Sequence, residues 1–231
     1  MNPLIQRVKR MSSTVASSLN EEQIGKDHMK LARLGEPGEE RPAVLDTEGH
    51  YRDLSGVVSD IAGAALVDKG WMEALDVGSL PAIEGTPRVG PCVGGVGKFI
   101  CVGLNYSDHA EEAGMPVPEE PILFMKATSA ICGPNDNVII PKGSDKADWE
   151  VELGIVIGKE ARLVDEEHAL DHVFGYCVVN DMSERAFQLE RSGQWVKGKS
   201  ADTFGPIGPW LVTKDDISDP QNLDMFLDVD G

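Results

Sequence analysis

The sequence predicts an α+β fold with a mainly β core. Two observations support this prediction. Short apolar runs bounded by glycine and proline are typical of strands, and the few helical stretches between them do not repeat as βαβ units. The chain has 231 residues, of which 41% are hydrophobic. This length allows one large domain, or a small domain joined to a larger one.

The N-terminal part of the chain predicts a small α+β domain. From Met29 to residue 54, short strand-like pieces alternate with glycine-containing turns, which indicates a β-meander. Apolar residues at helical spacing predict a helix over 56–79. The segment 80–97 is rich in proline and glycine and is interpreted as a linker. The predicted domains are therefore 29–90, which is small, and 91–231, which is larger.

Residues 1–28 are predicted to be a disordered extension. The first twenty residues contain three basic side chains, four serines and no acid, a composition that also fits an organelle-targeting presequence. A mis-assigned start is a further alternative, because Met29 opens a complete-looking domain. The predicted location is the cytoplasm, and a presequence would make it the mitochondrial matrix.

The sequence of the larger domain predicts strands that are separated by irregular segments. Helices are expected over 165–173 and 182–191. Residues 225–231 are interpreted as a strand that enters an Asp-Gly hairpin turn, which needs a partner strand. The C-terminal part of a longer domain is therefore expected to be missing. The strands are expected at 98–106, 121–133, 137–141, 148–157 and 175–181.

Composition narrows the classes of partner. The formal net charge of −18 argues against nucleic acid, because phosphate groups would be repelled. No apolar run is long enough to span a bilayer, so no membrane partner is expected. Four widely spaced cysteines predict reduced thiols. An acidic protein can still bind a small acid where a metal ion and a few cations reverse the local field.

The most informative segment is 148–157 (DWEVELGIVI), which holds two glutamates in an apolar strand. Glu150 and Glu152 lie on one face of an extended strand, where two carboxylates repel each other. Asp181 ends a second strand-like run and is a third candidate ligand. Three oxygen ligands favour Mg²⁺, with Mn²⁺ or Ca²⁺ as alternatives. The other interpretation is a solvated strand face, with Asp181 as the cap of the next helix.

Other side chains are candidates for catalysis. His109 and Glu112 are three apart on a short predicted helix, so the carboxylate can orient the imidazole as a base. Lys199 and Lys126 could hold a substrate carboxylate or an oxyanion. Each of these residues could instead be an ordinary surface residue. His168 and His172, in an acid-rich segment, are not assigned to metal. No phosphate-binding loop, dinucleotide motif or nucleophile elbow is present.

Taken together, several segments resemble the fumarylacetoacetate hydrolase family. They are 102–112 (VGLNYSDHAEE), 121–134 (PILFMKATSAICGP), 148–158 (DWEVELGIVIG), 175–188 (GYCVVNDMSERAFQ) and 199–210 (KSADTFGPIGPW). Their combination is far more specific than any one motif. The small domain also resembles that of bacterial ureidoglycolate lyases and diketo-acid hydrolases of the family.

The resemblance implies a mixed β-sandwich roll that holds one divalent cation. It also implies that the site contains a catalytic dyad and that Lys199 lies beside the bound oxyacid. It also implies a homodimer for an intact relative. Family members continue beyond residue 231 with strands that close the pocket, so this chain alone could be inactive. The residues implied are Glu150, Glu152 and Asp181 for the metal, His109 and Glu112 for the dyad, and Lys126, Arg185, Gln188 and Thr203 near the substrate.

The expected reaction is metal-dependent cleavage of a carbon–carbon bond in a 2,4-dioxo acid, through an enolate. The same site could serve a ureidoglycolate lyase, an isomerase of unsaturated dioxo acids, or a decarboxylase of small 2-oxo acids. A different class of protein, a truncated relative without catalysis, is the remaining alternative. The expected partner is therefore a small 2-oxo or dioxo carboxylic acid.

Overall fold

The computed structural model describes residues 29–112, 114 and 116–230. Its largest element is a six-stranded antiparallel sheet with the order β3-β2-β1-β12-β9-β8. The predicted α+β, mainly β fold is confirmed. The six strands are β1 Lys30–Leu34, β2 Arg41–Leu45, β3 Tyr51–Asp53, β8 Val151–Ile157, β9 Val173–Asn180 and β12 Leu211–Thr213.

In the described part of the chain, three two-stranded sheets accompany the main sheet, and five short helices lie between strands. The pairs are β4 Phe99–Gly103 with β5 Ile122–Lys126, β7 Ala147–Asp148 with β10 Ser183–Glu184, and β6 Ile131–Cys132 with β11 Gly205–Pro206. The helices are α1 Ala64–Val67, α2 Gly70–Glu73, α3 Ser107–Glu112, α4 Arg185–Leu189 and α5 Val196–Lys199.

The first three strands share the main sheet with strands of the larger predicted domain. Leu31 of β1 pairs with Leu211 of β12, and β12 pairs with β9. The predicted division into domains 29–90 and 91–231 stays a prediction. Residues 1–28, predicted to be an extension, lie outside the described residues. Among the described residues, no helix is long and apolar enough to cross a membrane.

Several predicted elements differ in detail. The helix predicted over 56–79 is replaced by α1, α2 and a 3₁₀ helix, Val77–Ser79. Gly63 has a positive φ of 47° before α1, and Asp68 is extended between α1 and α2. The helix predicted over 165–173 is a 3₁₀ helix, Glu166–His172. Residues 225–230, predicted as a strand, are irregular, and no described strand pairs with them. A strand without ladder hydrogen bonds has little to stabilise it.

The helix predicted over 182–191 starts later than expected. Ser183 and Glu184 pair as β10 with β7 before α4 begins at Arg185. Glu184 is the cap, because its carboxylate accepts a hydrogen bond from the Phe187 backbone N–H at 2.6 Å. Asp181 is therefore not the helix cap, and its carboxylate is available for other contacts.

Two buried clusters hold the segments that matter for function. The larger one joins the main sheet, through Leu31, Phe174 and Leu211, to Leu66 of α1 and Met72 of α2. A smaller cluster contains Ala130, Val138, Met182 and Phe204. Because Met182 follows Asp181 directly, this second cluster fixes the position of the Asp181 backbone.

Gly175 gives a test of the sheet. A Cβ at this position would lie 2.1 Å from the Val212 carbonyl oxygen, so Gly175→Ala must push β9 away from β12. We expect a loss of about 1–3 kcal/mol in the free energy of unfolding, as for other overpacked sites. Urea denaturation measures this loss. Gly97→Ala is the control, because a Cβ there meets nothing within 4 Å. Equal urea midpoints for both variants would contradict this packing.

Candidate functional site

Strands β8 and β9 bring three carboxylates to one end of the main sheet. In the ladder, Val151 pairs with Asn180 and Glu152 with Val179. The ladder continues beyond the strands, because the Asp181 N–H donates to the Glu150 carbonyl at 2.9 Å. Alternation along β8 and this backbone bond place Glu150, Glu152 and Asp181 close to one another.

Two buried lysines face these carboxylates. Lys199 Nζ lies 2.7 Å from Glu150 Oε2 and 2.7 Å from Asp181 Oδ2. Lys126 Nζ lies 2.5 Å from Asp181 Oδ1 and donates to the Met182 carbonyl at 2.9 Å. The exposed fractions of Lys126 and Lys199 are 1% and 2%. Charges this deeply buried need partners, so the lysines and carboxylates stabilise one another.

Arg185, at the start of α4, completes the ion-pair network. Its guanidinium donates to Glu150 Oε1, to Asp148 Oδ2 at 2.8 Å and to Gln188 Oε1 at 3.0 Å. Burial acts to raise the pKa of Glu150, but Lys199 and Arg185 outweigh it and the pKa is lowered. Glu150 is therefore ionised, and its geometry is fixed from both sides.

Glu152 differs from the other two carboxylates because no described cation pairs with it. Asn105 Nδ2 lies 3.4 Å from Glu152 Oε2, and the Tyr106 hydroxyl is close enough to act on the pKa of Glu152. Burial, together with the negative charges of Glu150 and Asp181, raises the pKa of Glu152 above its usual value. Glu152 is thus a half-buried carboxylate that lies beside two further carboxylates and has no counter-ion among the described residues.

The cluster suits a hard divalent cation in charge and in donor type. Four acids, Asp148, Glu150, Glu152 and Asp181, face three cations, Lys126, Lys199 and Arg185. The donors are all carboxylate oxygens, which Mg²⁺ and Mn²⁺ prefer. A cation bound beside Glu152 would supply the missing counter-charge.

Among the described residues, the one group of three potential metal ligands whose ligand atoms lie within 4.8 Å of one another is Asp46, Glu48 and His50, in the exposed β2–β3 turn. The three predicted ligands are not that close together. Glu150 and Asp181 are instead spaced by the Lys199 ammonium between them. In the turn, Asp46 already accepts hydrogen bonds from the Arg52 side chain and from backbone N–H groups.

The remaining predicted residues have different outcomes. His109 and Glu112 belong to α3, as predicted, but their side chains lie outside the described residues. Gln188 is buried and holds Arg185. Thr203 has a structural contact, since its Oγ1 accepts from the Ile139 N–H at 2.8 Å. No described hydrogen bond joins Thr203 to the carboxylates, so its place near the substrate stays a prediction.

Sequence reasoning did not assign roles to three contributors. Asn105 and Tyr106 contact Glu152, and the Tyr106 hydroxyl also accepts from the Leu153 N–H at 3.2 Å. Burial raises the pKa of Tyr106 to about 12, so its hydroxyl is neutral. Phe124 lies with its ring centroid 5.0 Å from Lys199 Nζ. In the sequence, Asn105 and Tyr106 could have been recognised as an adjacent Asn-Tyr pair directly before the short helix.

The comparisons with known proteins define the class. Residues 98–231 match the model of the fumarylacetoacetate hydrolase C-terminal domain, and the chain belongs to this family. A protein of Burkholderia multivorans, provisionally named a hydrolase, is 63% identical over 205 residues, which is 88% of this chain and 73% of that protein.

Solved structures agree with this assignment. Fumarylacetoacetate hydrolase from Exiguobacterium antarcticum has a TM-score of 0.68 at 35% identity, covering 81% of this chain and 67% of that one. An isomerase of 2-hydroxyhepta-2,4-diene-1,7-dioate from Mycobacterium marinum has a TM-score of 0.57 at 30% identity, covering 83% and 68%. The family thus includes proteins named as hydrolases and as isomerases.

Glu152 provides a test of the carboxylate cluster. Its raised pKa means that ionising it costs stability. The cost is absent below the ordinary value of 4.5 and grows as pH rises through the raised value. Glu152→Gln should therefore raise the melting temperature of the metal-free protein at pH 7 by about 2–4 °C, and the gain should vanish near pH 4.5. The same variant should lose the stabilisation that Mg²⁺ gives the natural chain.

The matched control is Glu160→Gln, which removes an exposed carboxylate that follows β8. It should change neither the metal-free melting temperature nor the Mg²⁺ response. A lower melting temperature for metal-free Glu152→Gln, or an unchanged Mg²⁺ response, would show that Glu152 is not a strained ligand.

Proposed function

We propose that this protein is a divalent-metal-dependent hydrolase that cleaves a carbon–carbon bond in a 2,4-dioxo acid. The observation that carries this proposal is the cluster in which buried Lys199 and Lys126 bind Glu150 and Asp181, while the neighbouring Glu152 has no described counter-ion. Such a site combines oxygen ligands for a metal with fixed positive charge for an anionic substrate. Membership of the family supports the same reaction class.

The metal would be held by Glu150, Glu152 and Asp181, with Mg²⁺ as the first choice and Mn²⁺ or Ca²⁺ as alternatives. When bound, the ion supplies Lewis-acid polarisation and a template for the carboxylate and 2-oxo oxygens of the substrate. Lys126 acts as a positioning residue, because it holds Asp181 and the adjacent Met182 carbonyl in place.

Lys199 is the residue proposed to stabilise negative charge on the substrate. An ammonium has three donors, and Lys199 uses two of them for Glu150 and Asp181. No described residue accepts a hydrogen bond from the third, which is proposed to donate to an enolate oxygen. Lys199 is the last residue of α5 and is buried against the carboxylates. Its ammonium is therefore held in position before the reaction starts, and electrostatic stabilisation is most effective when the charge is positioned in advance.

His109 is proposed to take the proton from the attacking water, with Glu112 orienting its imidazole. The backbone supports this role, because α3 follows directly after Asn105 and Tyr106, and these two residues contact Glu152 and Leu153. The start of α3 is thereby anchored beside the carboxylates.

The bond changes follow from this arrangement. Water, deprotonated by His109, adds to the C4 carbonyl of the substrate. The C3–C4 bond then breaks, and its electron pair moves to C3 as an enolate that Lys199 stabilises. Protonation at C3 completes the reaction, so one carboxylic acid and one 2-oxo acid are formed from one dioxo acid and one water.

Isomerisation of an unsaturated dioxo acid is the second candidate function. It needs the same enolate but moves a proton without breaking a carbon–carbon bond. The observation that favours it is the similarity to solved structures named as isomerases, including 5-carboxymethyl-2-hydroxymuconate delta-isomerase from Mycobacterium smegmatis, at 31% identity with a TM-score of 0.57.

A substrate panel distinguishes the two reactions. The chain with Mg²⁺ is incubated with an acylpyruvate and with an unsaturated dioxo acid, and products are identified by mass spectrometry. Hydrolysis gives two smaller acids from the acylpyruvate, whereas isomerisation gives a product of unchanged mass. We expect cleavage that stops when EDTA is added. Turnover that continues after complete metal removal would overturn the proposed function.

Lys199 gives the sharpest mutational test. Lys199→Met should lower kcat/KM by about 10²–10³-fold, the typical effect of removing one donor to a developing oxyanion. Lys197→Met is the matched control, because Lys197 lies in the same short helix but is exposed, and among the described residues its ammonium donates only to the Arg191 carbonyl. Equal activity of the two variants would remove Lys199 from the mechanism.

A further inference from the structure

We propose a second binding site, for a small oxyanion such as a phosphate or short carboxylate group, at the opposite end of β8 and β9. A cleft of about 250 Å³ lies there, lined by Phe174 of β9 and by Gly158 just after β8. Phe174 and Asp181 are about 23 Å apart at 3.3 Å per strand residue. The cleft is therefore separate from the carboxylate cluster and independent of the proposed function.

Three lysines from three different segments converge on this cleft. Lys69 comes from the α1–α2 turn, Lys159 follows β8, and Lys214 follows β12. Among the described residues, none of the three lies within ion-pair distance of a carboxylate, although Lys214 Nζ donates to the Leu170 carbonyl at 3.5 Å. In a chain with a net charge of −18, three unpaired lysines around one cleft are an unusual local concentration of positive charge.

The electrostatics of the cleft favour an anion. Burial lowers the pKa of Lys69, Asp215 acts against this, and Lys214 and Lys159 lower it further. Asp171 and Asp215 also line the cleft, so two acids only partly offset three lysines. A bound oxyanion would relieve the repulsion among the ammonium groups.

His172 supplies an independent observation. Its Nδ1 is buried and has no hydrogen-bond partner among the described residues, although His172 lines the cleft. An unsatisfied buried polar atom is costly, and because Nδ1 is shielded from solvent, the His172 ring must turn before Nδ1–H can donate to an oxyanion in the cleft. His168, four residues earlier, is exposed, whereas His172 is half-buried.

The walls of the cleft are close-packed. A Cβ at Gly158 would lie 2.6 Å from the Leu66 carbonyl oxygen and 3.0 Å from Phe174 Cβ, so the end of β8 contacts α1 directly. The Gly158 N–H donates to the His172 carbonyl at 2.9 Å. The Lys69 ammonium lies 4.9 Å from the centroid of the Phe174 ring. The ligand would thus meet an apolar floor beneath cationic and imidazole groups.

Isothermal titration calorimetry of the full metal-free chain tests the site. The probes are inorganic phosphate and propionate, each at ionic strength matched with chloride. We expect at least one probe to bind, and Lys159→Gln to raise its Kd at least tenfold. Lys142→Gln is the control, since it removes an exposed lysine outside the cleft with the same change in charge. Tighter phosphate binding identifies a phosphate ligand, and tighter propionate binding a carboxylate with an apolar tail.

Imidazole ¹⁵N signals locate the bound probe. The His172 signals should shift on titration, whereas those of His168 should not. Lys69→Gln provides a second variant, also expected to weaken binding at least tenfold. The proposal is overturned if neither probe binds at millimolar concentration, or if Lys159→Gln and Lys69→Gln bind as tightly as Lys142→Gln.

Discussion

The site depends on one electrostatic constraint, which is the repulsion among carboxylates at the end of β8 and β9. Glu150 and Asp181 come close because the strand ladder continues past Asn180. Lys199 offsets their repulsion by bonding to both, and Lys126 holds the far oxygen of Asp181. The positions of α5 and β5 follow from this requirement, because each must deliver a lysine to a buried acid.

The local packing serves the same requirement. Gly198, next to Lys199, fits against α4 so closely that a Cβ would lie 2.3 Å from the Glu184 carbonyl oxygen. Glu184 in turn caps α4 and so fixes Arg185, which holds Glu150. A chain of short contacts therefore links the backbone of α5 to the charge of Glu150. Rigid positioning of this kind limits how far the carboxylates can separate.

The sequence was sufficient to predict the mainly β fold and most members of the site, for a physical reason. Paired glutamates in an apolar strand are costly, so Glu150 and Glu152 stand out without any structure. Lys126 and Lys199 could be named only as candidates, because an ammonium after an apolar strand is usually exposed. Their pairing with Asp181 is not visible in the local sequence, because Lys126 is 55 positions before Asp181 and Lys199 is 18 positions after it.

Other features could not be predicted, because contacts with residues distant in the sequence outweighed the preference of the local sequence. The Met182–Arg191 segment has a helical pattern, yet pairing of Ser183 with Asp148 in the ladder delays the helix to Arg185. This shift matters, because it frees Asp181 from capping and gives the role to Glu184. Helix propensity is a property of the segment's own residues, whereas strand pairing depends on a partner strand that is distant in the sequence.

The two ends of β8 and β9 show how one acidic chain can present opposite local fields. At one end carboxylates exceed the cations that face them, and the uncompensated charge resides on Glu152. At the other end Lys69, Lys159 and Lys214 exceed the neighbouring aspartates. Net charge governs long-range behaviour, but within a Debye length of about 8–10 Å the nearest groups dominate. An overall charge of −18 therefore does not by itself prevent the binding of an acidic small molecule, because the strands separate the carboxylate-rich end from the lysine-rich end by more than that length.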